Sequence, residues 1–221
     1  MTRKLDRDGK QARQPPDLPP RADDLSVVTA DSILAGSPLE ESRVQDVDLS
    51  GRKLPMLAAR NSILERVSFA SCEIPSPRLV DVRLVRCDLS NAVLRGFQAR
   101  RVEFVDCRLI GMRAAACRWQ DVLVEGCDAR YAQLNDGHVR NCEFKRSRMA
   151  EADLRATDLE GTIFTNVVLH RADLTGAKLR GTDLRGAEIE GTIARAEDLR
   201  GAIVSVVQAM ELARLLGVII K

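Results

Sequence analysis

An apolar residue recurs at every fifth position from Leu34 to Leu199, thirty-four times without a break. The series opens Leu34, Leu39, Val44, Leu49, Leu54, Ala59, Leu64, Phe69 and passes through Trp119, Phe144 and Phe164. Apolar residues are 45% of the chain, so chance does not produce such a run. A second, smaller set sits two residues before each of these centres, for example Val67, Cys72, Val82, Cys87, Ala92, Ala152, Thr162 and Ala172. Eleven of the fourteen glycines fall two residues after a centre, among them Gly51, Gly96, Gly126, Gly161 and Gly186. A period of five is neither the 3.6 of an α-helix nor the 2 of a long strand. Within each unit, however, the centre and the residue two before it point the same way, as in a strand. A turn must then follow every five residues, and glycine suits it because it tolerates φ > 0. The chain is therefore expected to wind as short β-bridges around two inward side chains per unit, each coil pairing its backbone with the next.

The units Cys87-Asp88-Leu89-Ser90-Asn91, Ala152-Asp153-Leu154-Arg155-Ala156, Ala172-Asp173-Leu174-Thr175-Gly176 and Thr182-Asp183-Leu184-Arg185-Gly186 resemble the A(D/N)LXX signature of the pentapeptide-repeat family. The resemblance covers roughly residues 30–203. It implies an all-β fold, a right-handed quadrilateral β-helix with four units per square coil. The span from Leu34 to Leu199 then makes about eight coils, a rod on the order of 40 Å long at ~4.8 Å per coil. The β-helix is assigned to residues 25–203. Pro77 and Phe97 at the small inner position predict distortion of the second to fourth coils, and Arg52 and Glu197 mark incompletely buried ends. Trp119 is large for a centre, with Ala114, Val124 and Ala129 as compensating neighbours.

A solenoid needs its ends covered. Ser205-Val206-Val207-Gln208 reads as a capping box and Gly217 as a helix stop, which predicts a helix over 206–216 and a short strand at Val218-Ile219-Ile220. The helix is apolar except for Gln208, Glu211 and Arg214, so it is expected to be buried on more than one side. We therefore expect residues 204–221 to cap the last coil and form a homodimer through Val207, Met210, Leu212, Leu215 and Leu216. Several members of the family it resembles dimerise through this end. The proline-rich segment 1–24 is expected to be disordered or loosely attached.

Thirty-four Lys and Arg against thirty-two Asp and Glu leave a net charge of +2, which argues against strong attraction to nucleic acid, an anionic membrane or an acidic ligand. No apolar run is long enough for a membrane helix and Met1–Arg21 has no apolar signal core, so the expected location is cytoplasmic. All six cysteines (72, 87, 107, 117, 127 and 142) occupy the small inner position and read as core, with Cys87, Cys107 and Cys127 stacked in successive coils. His138 and His170 fall on different sides and read as solvated. Asp153, Asp158, Asp173 and Asp183 precede centres; the resemblance implies that they stabilise turns. No nucleophile elbow, P-loop or zinc-protease motif is present, and no catalytic residue, metal or cofactor is expected.

Sorted by side, no surface is an acidic wall. Arg78, Arg100, Arg101, Arg118 and Arg140 share one side, interrupted by Asp81 and Asp121, and read either as a solvated mixed surface or as a weak anion site. Ile63, Val85, Val105, Leu123 and Ile163 sit at outward positions of another side and are the candidate protein contacts. The expected function is a non-enzymatic scaffold docking a macromolecular partner on its flat sides. The alternative implied by the resemblance is a regulator of DNA gyrase of the quinolone-resistance type, whose members mimic the negative surface of duplex DNA.

Overall fold

A computed structural model of the chain describes residues 12–20 and 24–214. Its body is a parallel β-solenoid of about eight turns. The strands are β1 (Ser26–Val27), β2 (Leu39–Glu40), β3 (Ser42–Gln45), β4 (Ala58–Glu65), β5 (Arg78–Val85), β6 (Gln98–Val105), β7 (Arg118–Gln120), β8 (Leu123–Glu125), β9 (His138–Arg140), β10 (Glu143–Lys145), β11 (Ile163–Val168) and β12 (Asp183–Glu188), with helices α1 (Ala30–Leu34) and α2 (Val206–Ala213) near the ends. Pairing runs at a constant offset of one coil: Leu64 lies beside Leu84, Leu84 beside Phe104, Phe104 beside Val124 and Val124 beside Phe144. Single bridges with the same offset, such as Asp88 to Arg108 and Asp153 to Asp173, join the other sides.

The centres from Leu39 to Ile189 are buried, and the small inner residues fill the space between them. Thr, Ser and Cys alternate with Ala at that inner position for a reason visible in their bonds. Thr162 Oγ1 donates to the Val139 carbonyl at 2.7 Å and Thr182 Oγ1 to that of Leu159 at 2.8 Å. A small polar side chain here stays buried because the backbone of the preceding coil supplies its acceptor. The position two after most centres has φ near +55°, held by Asn or Asp as readily as by glycine, for instance Asn91 at 56° and Asp106 at 53°.

Several expectations change. No register shift interrupts β4, β5 or β6 at Pro77 and Phe97. Pro77 needs no partner for a missing N–H, and its carbonyl accepts from Gln98 N–H at 2.8 Å. Phe97 turns into the core, edge-on to Phe104 and Trp119 with ring centroids 6.3 and 5.6 Å away. Trp119 thus packs against aromatic rings of the preceding coil, in addition to its small coil neighbours. The register shifts lie between β11 and β12, where Thr165 pairs with Gly186. A Cβ on Gly186 would stand 2.8 Å from the Phe164 carbonyl, so only glycine fits this approach.

The N-terminal end is closed by α1, where the period predicted a coil: Ile33 is buried and Leu34 is 37% exposed. Residues 12–20, expected to be loose, bond to the rod. At the other end the capping box forms between Ser205 and Gln208, and α2 begins where expected. Its polar stripe does not all face water. Gln208 is buried, and its Nε2 donates to the carbonyls of Leu184 at 2.6 Å and Ala187 at 2.7 Å, closing acceptors of the last coil. Leu212 packs against the core, while Val206, Val207 and Met210 are exposed. Leu215, Leu216 and the strand expected at 218–220 lie outside the described residues. Among the described residues no helix is long and apolar enough to cross a membrane.

Candidate interaction surfaces

The side built by β2, β7, β9 and the first halves of β4, β5 and β6 is concave. A depression of about 920 Å³ runs along it, lined by Arg60, Arg78, Arg100, Arg118, Arg140, Gln98, Gln120 and His138 among others. The arrangement follows from the repeat. Residues on either side of a centre point outward, so the columns 58-78-98-118-138 and 60-80-100-120-140 stand one coil apart at each step, ~4.8 Å. Arginine alternates between the columns: Arg60, Arg78, Arg100, Arg118 and Arg140 occupy successive coils in a zigzag, all exposed. Arg140 is neutralised by the buried Asp158, to which its Nε donates at 2.9 Å. Burial raises the Asp158 carboxyl, but the Arg140 guanidinium and the Glu160 N–H outweigh it and leave it below the ordinary value. Arg60, Arg78, Arg100 and Arg118 have no carboxylate partner among the described residues.

Arg101, grouped with this side by sequence, belongs to the corner instead. Its Nε donates to Asp81 Oδ1 at 2.6 Å. Burial raises Asp81, yet Arg101 and an N–H from Asp17 outweigh that and hold the carboxyl below its ordinary 3.8. The corner column reads Asn61, Asp81, Arg101, Asp121, Asn141, each in the left-handed region.

Beyond the corner lies the side of the candidate protein contacts. Ile63, Val85, Val105 and Ile163 are half-buried there. Leu123 is 6% exposed although its position points outward, and it stands apart from the core cluster. Its neighbours in register are Glu103 and Glu143, and Arg13 reaches both, Nη2 to Glu103 at 3.0 Å and Nε to Glu143 at 3.8 Å. Arg13 of the N-terminal segment thus joins the coils on either side of Leu123, a relation that no local pattern in the sequence carries.

The thiols are buried and unpaired, with Cys107 N–H donating to Cys127 Sγ at 3.3 Å one coil away. Burial pushes Cys117 up to about 12 and raises Cys142 as well; hydrogen bonding to Cys107 and burial raise Cys87. Groups held as thiols in this way are poor nucleophiles and ligands. No cluster of His, Cys, Asp or Glu suited to a metal occurs among the described residues. His138 is exposed, 3.7 Å from Asp158, and His170 lies 3.1 Å from Glu188.

The family described as "Pentapeptide repeat region" matches residues 77–154, and that described as "Pentapeptide repeats (8 copies)" matches residues 147–186. The chain is a pentapeptide-repeat protein. No curated protein matches it. Among solved structures it is similar to a trypsin-treated variant of QnrB1, a plasmid-mediated fluoroquinolone resistance protein, at 19% identity and TM-score 0.46 over 88% of this chain and 96% of that one. It is also similar to HetL, a pentapeptide-repeat protein involved in heterocyst differentiation regulation from the cyanobacterium Nostoc sp. strain PCC 7120, at 22% identity and TM-score 0.31 over 75% and 86%. These are likenesses of architecture.

The aspartates of this pentapeptide-repeat rod serve its turns. Asp88 Oδ1 accepts from Ser90 N–H at 2.8 Å, Asp153 from Arg155 N–H at 3.1 Å and Asp173 from Thr175 N–H at 2.9 Å. Arg155 folds back on Asp153, and Arg185 on Asp183, through two nitrogens each. Carboxylates and guanidinium groups tied to their own unit in this way have little left to offer a substrate.

Proposed function

We propose that this pentapeptide-repeat protein is a non-enzymatic cytoplasmic scaffold that docks a macromolecular partner on the sides of its rod. The observation that carries the reading is the row Arg60, Arg78, Arg100 and Arg118, exposed in a concave surface without carboxylate partners among the described residues. Charges left over by the fold are available to a complementary surface and raise its encounter rate. The depression suits an acidic protein face, and Ile63, Val85, Val105 and Ile163 across the corner supply apolar area beside it. A second copy docks on α2, where Val207 and Met210 are 68% and 50% exposed.

The test is a triple charge reversal, Arg78→Glu, Arg100→Glu and Arg118→Glu, compared with the parent in capture of binding partners from the source cytosol. Loss of capture with unchanged melting supports the depression. Retained capture refutes it, and loss on Val85→Asp with Val105→Asp alone moves the contact across the corner. Light scattering after size exclusion reads the dimer, which Val207→Glu with Met210→Glu is expected to split. A gyrase-directed role calls for DNA-like negative charge, and the sign of the depression supports the scaffold reading over it. No inhibition in a gyrase supercoiling assay is the expected result.

A further inference from the structure

We propose that the corner column Asn61–Asp81–Arg101–Asp121 is a binding site for an extended proline-rich peptide of a partner protein, and that residues 12–20 of this chain occupy it as a built-in competitor. The site borders the arginine depression, which Asn141 also lines. Its carboxylates are buried, Asp81 at 4% exposure and Asp121 at 1%, and each accepts one backbone N–H from the N-terminal segment. Asp17 N–H donates to Asp81 Oδ1 at 2.9 Å and Gln14 N–H to Asp121 Oδ1 at 3.3 Å. Asn141 Nδ2 donates to the same Asp121 oxygen from the next coil. Asn61 Nδ2 donates to the Asp17 carbonyl at 2.6 Å. Arg13 anchors the start of the segment on Glu103, its side chain only 12% exposed.

The spacing explains why proline belongs here. Pro15 and Pro16 lie between the two donors and have no N–H to offer. Proline also holds itself and the residue before it extended, so Gln14 to Asp17 rises ~3.1 Å per residue, about 9.3 Å in three steps. Asp81 and Asp121 are two coils apart in the ladder, about 9.6 Å at ~4.8 Å per coil. The coil between them presents Arg101, a donor already turned onto Asp81, opposite the donor-free prolines. A donor–Pro–Pro–donor peptide is therefore commensurate with an acceptor–arginine–acceptor corner. The fit of the resident segment is incomplete. Asp121 Oδ2 is buried with no hydrogen-bond partner among the described residues, so a peptide that brings one more donor there can displace it.

An intramolecular competitor acts at an effective concentration on the order of millimolar, so the intact chain masks the site. The test uses the full chain carrying Pro15→Gly and Pro16→Gly, which loosens the segment without touching the rod, and a fluorescent synthetic peptide of residues 12–20 as the probe. Anisotropy is expected to give about ten-fold tighter binding to this variant than to the unaltered chain. Adding Asp81→Asn and Asp121→Asn to the variant is expected to abolish the gain. A peptide with its arginine replaced by alanine, which leaves the protein's folding untouched, is expected to bind about ten-fold more weakly. Equal binding to the loosened and unaltered chains, or indifference to the peptide's arginine, overturns the proposal.

Discussion

The coils of residues 147–203 and the depression on the side of β4 to β9 are built from the same repeat and treat charge in opposite ways. In two of the later units the residue before a centre is Asp, the residue after it is Arg, and the two close on each other and on the turn, Asp153 with Arg155 and Asp183 with Arg185. In the depression the residue before the centre is Ala58, Arg78, Gln98, Arg118 or His138. The aspartate is missing, the arginines are kept, and their charge faces outward. Units such as those of Asp153 and Asp183 satisfy their own charges, whereas the depression keeps Arg60, Arg78, Arg100 and Arg118 without a carboxylate among the described residues. Failures of a local rule are expected at functional or strained sites.

The contrast can be tested by stability. Phe144→Ala removes a ring that is 1% exposed and stacked on Phe164 at 5.0 Å, and is expected to cost about 3–5 kcal/mol in urea unfolding. Gly186→Ala pushes a methyl against the Phe164 carbonyl and is expected to cost about 1–3 kcal/mol. Thr162→Val strands the Val139 carbonyl and is expected to cost about 1 kcal/mol. The triple reversal in the depression is expected to change stability by less than about 0.5 kcal/mol, because those side chains hold nothing together. A large loss there would mean that the arginines serve the fold and would erase the contrast.

The smallest effect concerns acid. Asp81 lies below its ordinary 3.8 when folded, so its contribution is complete above that value and is lost as the pH falls through the lower folded one. Hydrogen-exchange protection at Asp17 N–H is expected to persist at all pH values above 3.8 and to fade only below it. Fading at neutral pH would mean that another group holds the segment.

The centres, the inner cysteines, the turn aspartates and the start of α2 are legible in the sequence because each depends on neighbours within five residues or on a fixed step of twenty. The N-terminal segment is not. Its bonds join residues 64, 90 and 107 positions apart, and no period encodes them. Leu123 reads as exposed because its position points outward, yet it is 6% exposed between Glu103 and Glu143, both paired with Arg13 from the far end of the chain. The arginine row is visible in part. Arg101 sorts with it because one position separates the side from the corner, and that position turns the side chain onto Asp81. Gln208 reads as part of a polar stripe because helical spacing places it with Glu211 and Arg214, and its reach to the last coil's carbonyls depends on where α2 lands.

That landing also bears on how the molecule meets others of its kind. A stack of parallel coils has no intrinsic last member, and each finished coil is a template on which a further chain can crystallise. By seating one amide on the carbonyls of Leu184 and Ala187, Gln208 acts as a chain stopper in the polymer chemist's sense.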